Sequence, residues 1–366
     1  MNIAIVAGEV SGDIQAARLV SEVKKQLPDV TIWGMGGAHM KTAGCELIYD
    51  ITQWALIGFW EVVKNYGKIR KVFWGLLEEI KRRQPRVVIL VDYPGFNLRL
   101  ARKIKALKIP VIYYISPQIW AWGRGRIKQI RELISKMIVI FPFEKEMYES
   151  EGVPVEFVGH PIIDVLEKRK SNSIREMFRK ELGVGPRETL IGILPGSREQ
   201  EVKRHIPALV PVIGLMPRAR FVFGAASGQI AKLIPDINVP VLTDRTYDIM
   251  EASDLIITSS GTATLETACF GTPMVVIYRI NWITYYFIKK MIKIPFIAMV
   301  NVVSGKKIVP ELIQNNVTSA NIAAKALEIV KNPDNIKAQL AGFKEKLGSP
   351  GVAGRAAKIV CEAISD

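Results

Sequence analysis

Three short stretches of this 366-residue chain carry residue types suited to chemistry on a phosphate-bearing ligand. Ser259-Ser260-Gly261-Thr262 joins a β-branched run, Leu255 to Thr258, to a helical stretch. The first amides of a helix are unpaired and its dipole favours an anion there, so a diphosphate fits against Ser260, Gly261 and Thr262. Glu266, one turn further on, lies at the right distance for a ribose hydroxyl of the same ligand. The same residues also read as a plainly capped helix with a solvated glutamate, and the stretch alone leaves both readings open. Pro195-Gly196-Ser197-Arg198, also between a strand pattern and a helix pattern, adds a guanidinium able to pair bidentately with phosphate. Asp92 ends the run RVVILVD and so stands at the carboxyl end of a buried strand, where open α/β sheets line their ligand crevice. A catalytic base and a helix cap are both served by that position.

Such loops need parallel strands behind them. Apolar runs at Asn2–Ala7, Thr31–Trp33, Arg86–Asp92, Pro110–Ser116, Lys136–Phe141 and Val155–Val158 alternate with helical patterns, and a second series runs through 189–194, 220–223, 240–242, 255–258 and 274–278. The expected class is α/β, with two doubly wound, Rossmann-like domains. The expected boundaries are 1–168, 169–345 and a final segment, 346–366, packing back on the first domain or on a partner subunit. After the first strand comes GEVSGD, which is not the GxGxxG of dinucleotide sites. Its glycines admit a sugar closely, making Glu9, Ser11 and Asp13 candidates for a substrate pocket, with Ser11 or Asp13 also placed to cap the next helix. From Thr318 onward the pattern reads as three helices.

The net charge is +15, and between Lys64 and Lys136 eighteen Lys or Arg face only four acids. A second stretch, 267–310, holds six basic residues and no acid. Partners of opposite charge are implied: nucleic acid, anionic lipid or a phosphorylated substrate. No run of about 18 apolar residues occurs, so no membrane span is expected. The first strand has no basic leader, so no secretory signal is expected and the expected location is the cytoplasm. Three cysteines and three histidines show no metal-ligand spacing, so no metal is expected, and His39 and His160 are given no catalytic role. Residues 54–80 hold more apolar side chains than one buried stripe needs. Phe59, Trp60, Phe73 and Trp74 beside Lys64, Lys68, Arg70 and Lys71 suit a helix lying on an anionic bilayer. A core helix with a dimer contact is the competing reading, and a nucleic-acid platform is third, because such platforms sit on sheets or loops.

Eight segments occur in order: GEVSGD, the GMGG turn with Met40, VDYPGFN, YYISPQIWAW, LPGSREQE, TSSGTATLE, PMVVIY and VNVVSGKKIVPELIQ. In order and spacing, from Asn2 to about Gln314, the chain resembles the lipid A disaccharide synthases. The resemblance implies a GT-B fold with two Rossmann-like domains facing a central cleft. It implies transfer of 2,3-diacylglucosamine from its UDP conjugate to the 6-hydroxyl of 2,3-diacylglucosamine 1-phosphate, with inversion. Arg198, Ser260, Gly261, Thr262 and Glu266 would hold UDP together with Asn301, Glu311 and Gln314 of the family's remaining donor motif, and Asp92 would be the base. An inverting transfer needs no protein nucleophile, and the lack of a DxD motif implies no metal and no cofactor. The implied partners are the two acylated sugars, the inner face of the inner membrane as a peripheral contact, and a second subunit, with no nucleic acid. The chain departs from the family at Gly95, where a second aspartate is frequent, and at Gln15 and Ala16, where small residues or glycine are commoner. Two alternatives remain: another GT-B enzyme acting on UDP-N-acetylglucosamine, either a peptidoglycan glycosyltransferase or a 2-epimerase, and a non-catalytic binder of nucleic acid or anionic membrane. The second leaves the glycine turns and Arg198 without a purpose.

Overall fold

The computed structural model describes all residues except 52–65, 170–173, 283, 287–294 and 366. The chain divides into two compact units, residues 1–167 with 347–366 and residues 168–346.

The first unit holds seven parallel strands: β1 (Asn2–Ala7), β2 (Thr31–Gly36), β3 (Glu46–Asp50), β4 (Val87–Val91), β5 (Val111–Tyr114), β6 (Lys136–Val139) and β7 (Val155–Phe157). Their order is β3-β2-β1-β4-β5-β6-β7. Helices cover both faces, which is why β4 reads VVILV without alternation and is buried throughout. Helix α1 (Val10–Gln26) follows β1, the short α2 (Ala38–Thr42) follows β2, α3 (Tyr66–Arg83) precedes β4, and α4 (Pro94–Lys105) follows it.

The strand order reverses between β1 and β4, so the loops after these two strands diverge and leave a crevice at their carboxyl ends. These loops carry Gly8 to Asp13 and Asp92 to Gly95.

In α3, Val72, Leu76, Leu77 and Ile80 are buried, and Ile69 and Phe73 pack against the same core. That spacing is a single helical stripe, so the described part of this segment is a core helix. Phe73 sits edge-on to Phe96 at 5.4 Å and belongs to that core rather than to an outer surface. Of the two aromatic candidates among the described residues, Trp74 is the exposed one, at 43%, with the Lys103 ammonium 5.7 Å from its ring centre. Phe59 and Trp60 lie outside the described residues. No helix among the described residues is long and apolar enough to cross a membrane.

The second unit repeats the plan with β8 (Thr189–Leu194), β9 (Ala219–Ala225), β10 (Val241–Thr243), β11 (Leu255–Ser259), β12 (Met274–Tyr278) and β13 (Glu311–Ile313), ordered β10-β9-β8-β11-β12-β13. The reversal here lies between β8 and β11. Helices α5 (Glu199–Leu215), α6 (Thr246–Ala252), α7 (Thr262–Cys269) and α8 (Met299–Ser304) flank the loops of interest. Beyond residue 318 there are four helices, not three: Gly342 ends one, and Gly348, Pro350 and Gly351 interrupt the chain before the last, Val352–Ser365. Gly348 and Gly351 have φ of 92° and 90°, which a side chain would resist. This last helix packs on α1 in the first unit. The Asp164 carboxylate caps it by accepting the Gly351 and Val352 N–H groups at 2.6 and 3.1 Å, and the Arg355 guanidinium donates to the Val158 carbonyl at 2.7 and 2.9 Å.

Candidate active site

Asp92 and Tyr93 have φ of 47° and 48°, two successive residues in the left-handed region. Each such residue costs about 1–3 kcal/mol, so the bend persists only where neighbours hold it. Here the Asp92 carbonyl accepts the Tyr113 hydroxyl at 2.5 Å and the Asn97 amide at 2.7 Å, and the Asp92 N–H donates to the Tyr114 carbonyl at 3.1 Å. The bend leaves the carboxyl half-buried and off helix α4, whose N-cap is Tyr93 and makes no side-chain cap bond. The helix-cap reading of Asp92 therefore falls. Burial first, and then the charge of Glu9, push its carboxyl up to about 6 against the opposing Tyr93 N–H.

Gly8 lies under Tyr93: a Cβ there would come within 2.1 Å of the ring. Tyr93 in turn stacks on Phe96 at 5.8 Å. Thus the loop after β1 seats the loop after β4. Glu9 and Ser11 are exposed on the first of these loops. Asp13 is not available to a ligand. It is 2% exposed, and its carboxylate accepts the N–H groups of Gly37 at 2.7 Å and of His39 and Met40 at 3.1 Å. It caps α2, not its own helix; α1 already begins at Val10, and Glu9 at its N-cap makes no side-chain cap bond.

In the second unit, the loop after β8 brings Arg198 to the N-cap of α5. Its guanidinium is exposed and has no hydrogen bond or ion pair among the described residues. Glu201, three residues on, sits under the turn: its carboxyl meets the Ser197 and Arg198 N–H groups and the Ser259 hydroxyl, and burial raises its pKa against them. A Cβ at Gly196, where φ is 129°, would lie 2.5 Å from Glu201 Oε2. His205, one turn further along α5, is fully buried. Its Nε2 accepts the Arg279 N–H at 3.0 Å, which places the ring proton on Nδ1, donated to the Pro195 carbonyl at 2.8 Å.

The loop after β11 carries Ser260, Gly261 and Thr262. The Ser260 hydroxyl donates to the Ile297 carbonyl at 2.8 Å, Gly261 faces open space, and Thr262 is exposed at the start of α7. Glu266 is half-buried and accepts the Tyr247 hydroxyl at 2.9 Å; burial raises its pKa and the hydroxyl lowers it. It is not a solvated glutamate.

Asn301 is fully buried and spends its whole amide inside the protein. Its oxygen accepts the Ile308 and Val309 N–H groups at 2.8 and 3.0 Å, and its nitrogen donates to the Val309 carbonyl at 3.0 Å and to Glu311 at 2.9 Å. Glu311 also accepts the Ala298 N–H at 2.9 Å, at the start of α8. Gln314, with φ of 52°, clamps the backbone of Ile280 in both directions, at 2.8 and 3.1 Å. These three side chains shape the loops after β12 and β13; none presents an unused polar edge comparable to that of Arg198.

The structure thus gathers Asp92 and Glu9 at one reversal point, and Arg198 with the Ser260–Thr262 turn at the other. Glu201, His205, Tyr247 and Arg279 were not singled out from sequence. Glu201 had a legible signal, since its place three residues after the N-cap is the capping-box spacing. The others act across strands.

A family model described as lipid-A-disaccharide synthetase matches residues 3–350. The lipid-A-disaccharide synthase of Geobacter metallireducens is 40% identical over 98% of this chain and 96% of its own length. Lipid-A-disaccharide synthase 1 of Legionella pneumophila strain Philadelphia 1 is 40% identical over 95% and 93%. Among solved structures, the UDP-GlcNAc 2-epimerase of Neisseria meningitidis bound to UDP-GlcNAc aligns over 100% of both chains with a TM-score of 0.64 and 17% identity. The glycotransferase of kitacinnamycin aligns over 99% and 98%, with a TM-score of 0.65 and 16% identity. The two structures carry the fold, which is GT-B. End-to-end relatives at two-fifths identity carry more, and by them this chain belongs to the lipid-A-disaccharide synthetase family.

Proposed function

We propose that the protein joins UDP-2,3-diacylglucosamine to 2,3-diacylglucosamine 1-phosphate through a β-1,6 bond, with inversion and release of UDP. Asp92 carries the reading. It is a half-buried carboxylate at the reversal point of the first sheet, held by a strained bend and pushed up to about 6. At pH 7 most copies are ionised and ready to take the proton of the acceptor hydroxyl, while the pKa stays close enough to the working pH for efficient transfer. As the hydroxyl oxygen attacks the anomeric carbon, the bond to the diphosphate breaks and negative charge grows on the leaving group. Arg198, with its unpaired guanidinium, stabilises that charge together with the N-terminus of α7. Glu266 takes a ribose hydroxyl. Asn301, Glu311 and Gln314 hold the donor loops in shape. A single displacement accounts for the inversion.

The test is UDP release by the purified protein with EDTA present, comparing the acylated donor and acceptor with plain UDP-N-acetylglucosamine. Release with the acylated pair alone supports this reading. Turnover of the plain sugar nucleotide without acceptor would favour an epimerase.

We also propose a peripheral contact with the cytoplasmic face of the inner membrane. The support is exposed Trp74 under Lys103, with exposed Lys68, Arg70 and Lys71 on the same helix.

A further inference from the structure

The second unit contains another guanidinium without a partner. Arg279 follows directly on β12, at the same carboxyl edge as Arg198 and the Ser260–Thr262 turn, and its side chain has no hydrogen bond or ion pair among the described residues. No acid occurs between residues 267 and 310, so nothing near it in sequence neutralises it. Its backbone, in contrast, is fixed from within: the buried His205 ring spans from the Pro195 carbonyl, in the loop after β8, to the Arg279 N–H, in the loop after β12. The two strands are not neighbours, since β11 lies between them. One imidazole therefore sets the spacing of two arginine-bearing loops on either side of the anion turn. A protonated ring could not accept the Arg279 N–H, and burial with the nearby Arg279 and Arg204 charges keeps the ring neutral.

We infer that Arg279 is a second guanidinium of the donor-diphosphate site and that His205 is the residue positioning it against Arg198. The inference rests on the donor reading above and adds how the diphosphate's charge is shared. Two guanidinium groups can meet the two phosphates separately, so neither must bridge both.

The experiment compares binding of UDP and of uridine by ligand-detected NMR in the wild type and in Arg279→Met, His205→Gln and His205→Asn. Arg279→Met is expected to weaken UDP about 10–100-fold, the worth of charged hydrogen bonds, and to leave uridine within twofold. Its folding should be unaffected, because the guanidinium is unpaired. Gln at 205 can still present an acceptor at the place of Nε2, whereas Asn is too short to reach it. His205→Gln should therefore keep more UDP affinity than His205→Asn, with uridine again unchanged. Equal losses of UDP and uridine, or a change below twofold for Arg279→Met, overturns the role of Arg279. Equal behaviour of the Gln and Asn variants overturns that of His205. If the wild type binds no UDP, the donor reading itself fails, and that result is separate from the others.

Discussion

The Tyr247 hydroxyl donates to the Glu266 carboxylate at 2.9 Å, joining the helix before β11 to the helix after it. Glu266 would otherwise be a half-buried carboxylate with no hydrogen-bond donor among the described side chains. Tyr247→Phe removes one donor and keeps the ring. We expect UDP affinity to fall about three- to tenfold, the value of one hydrogen bond, with kcat for bound donor little altered. Calorimetric titration of UDP checks it; unchanged affinity would mean that Glu266 needs no such support.

Asp92 makes activity and stability pull in opposite directions. Its pKa rises from 3.8 to about 6 on folding, so the folded protein favours the protonated acid. Stability from this group is full below the unfolded value and is lost as pH rises through about 6. Two units at 1.36 kcal/mol each bound the loss at ~3 kcal/mol. Asp92→Asn should lower kcat about 10²–10⁴-fold and yet be more stable than wild type at pH 7 by about 1–3 kcal/mol, a gain that vanishes below about pH 4. The wild-type kcat/KM should fall on the acid side with a midpoint near that of Asp92. Denaturant melts at several pH values and a pH–rate profile measure both.

Gly8 is fixed by the ring above it. Gly8→Ala puts a methyl 2.1 Å from Tyr93 and must displace either the ring or the loop after β1. Overpacking of this sort costs roughly 1–3 kcal/mol, and the displaced bend should cost about tenfold or more in kcat. An active, normally stable Gly8→Ala protein would show that Tyr93 can move without carrying Asp92 along.

Asp13 tells structure from chemistry. Asp13→Ala strips α2 of three accepted N–H groups, and we expect a loss of roughly 2–4 kcal/mol in urea unfolding. Activity per folded molecule should be nearly retained; a selective loss of acceptor affinity would restore Asp13 to the pocket.

Neighbouring aromatics in α3 should part company. Phe73→Ser removes a ring packed on Phe96 and should cost about 2–3 kcal/mol. Trp74→Ser should cost less than that, about 1 kcal/mol for the edge-on contact with Phe73 at 5.5 Å, and weaken binding to anionic vesicles measured by co-sedimentation.

What the chain revealed in advance follows a physical division. Strands buried on both faces announce themselves as apolar runs, so β1, β4, β8, β11 and β12 were legible, as were the turns at their carboxyl ends. The edge strands β3 and β13 were not: Glu46 to Asp50 and Glu311 to Ile313 are short, half-covered and mixed in character. The apolar excess of residues 54–80 looked too large for one stripe; in the described part, from Tyr66 on, a single stripe takes up Ile69, Val72, Phe73, Leu76, Leu77 and Ile80, because sequence does not show how wide a groove the helix fills. Asp13 and Asn301 were marked as ligand-facing because a polar residue in a loop motif looks the same whether it meets a ligand or the backbone of another loop. Only the fold shows that every acceptor of Asp13 and every valence of Asn301 is taken internally. His205, mid-helix between Arg204 and Ile206, gave no sign that it reaches two loops.

The return of the last helix to α1 also orders events in time. A ribosome delivers β1 to β7 first, then the whole of residues 168–346, and only then residues 347–366. At about 5–20 residues per second, the nascent first unit waits on the order of 10–40 s for its final helix. Throughout that interval the face of α1 destined for Ala356, Ala357, Val360 and Ile364 stays uncovered. The completed chain closes that window itself; until then the growing polypeptide presents a sticky helix surface on which chaperones can act.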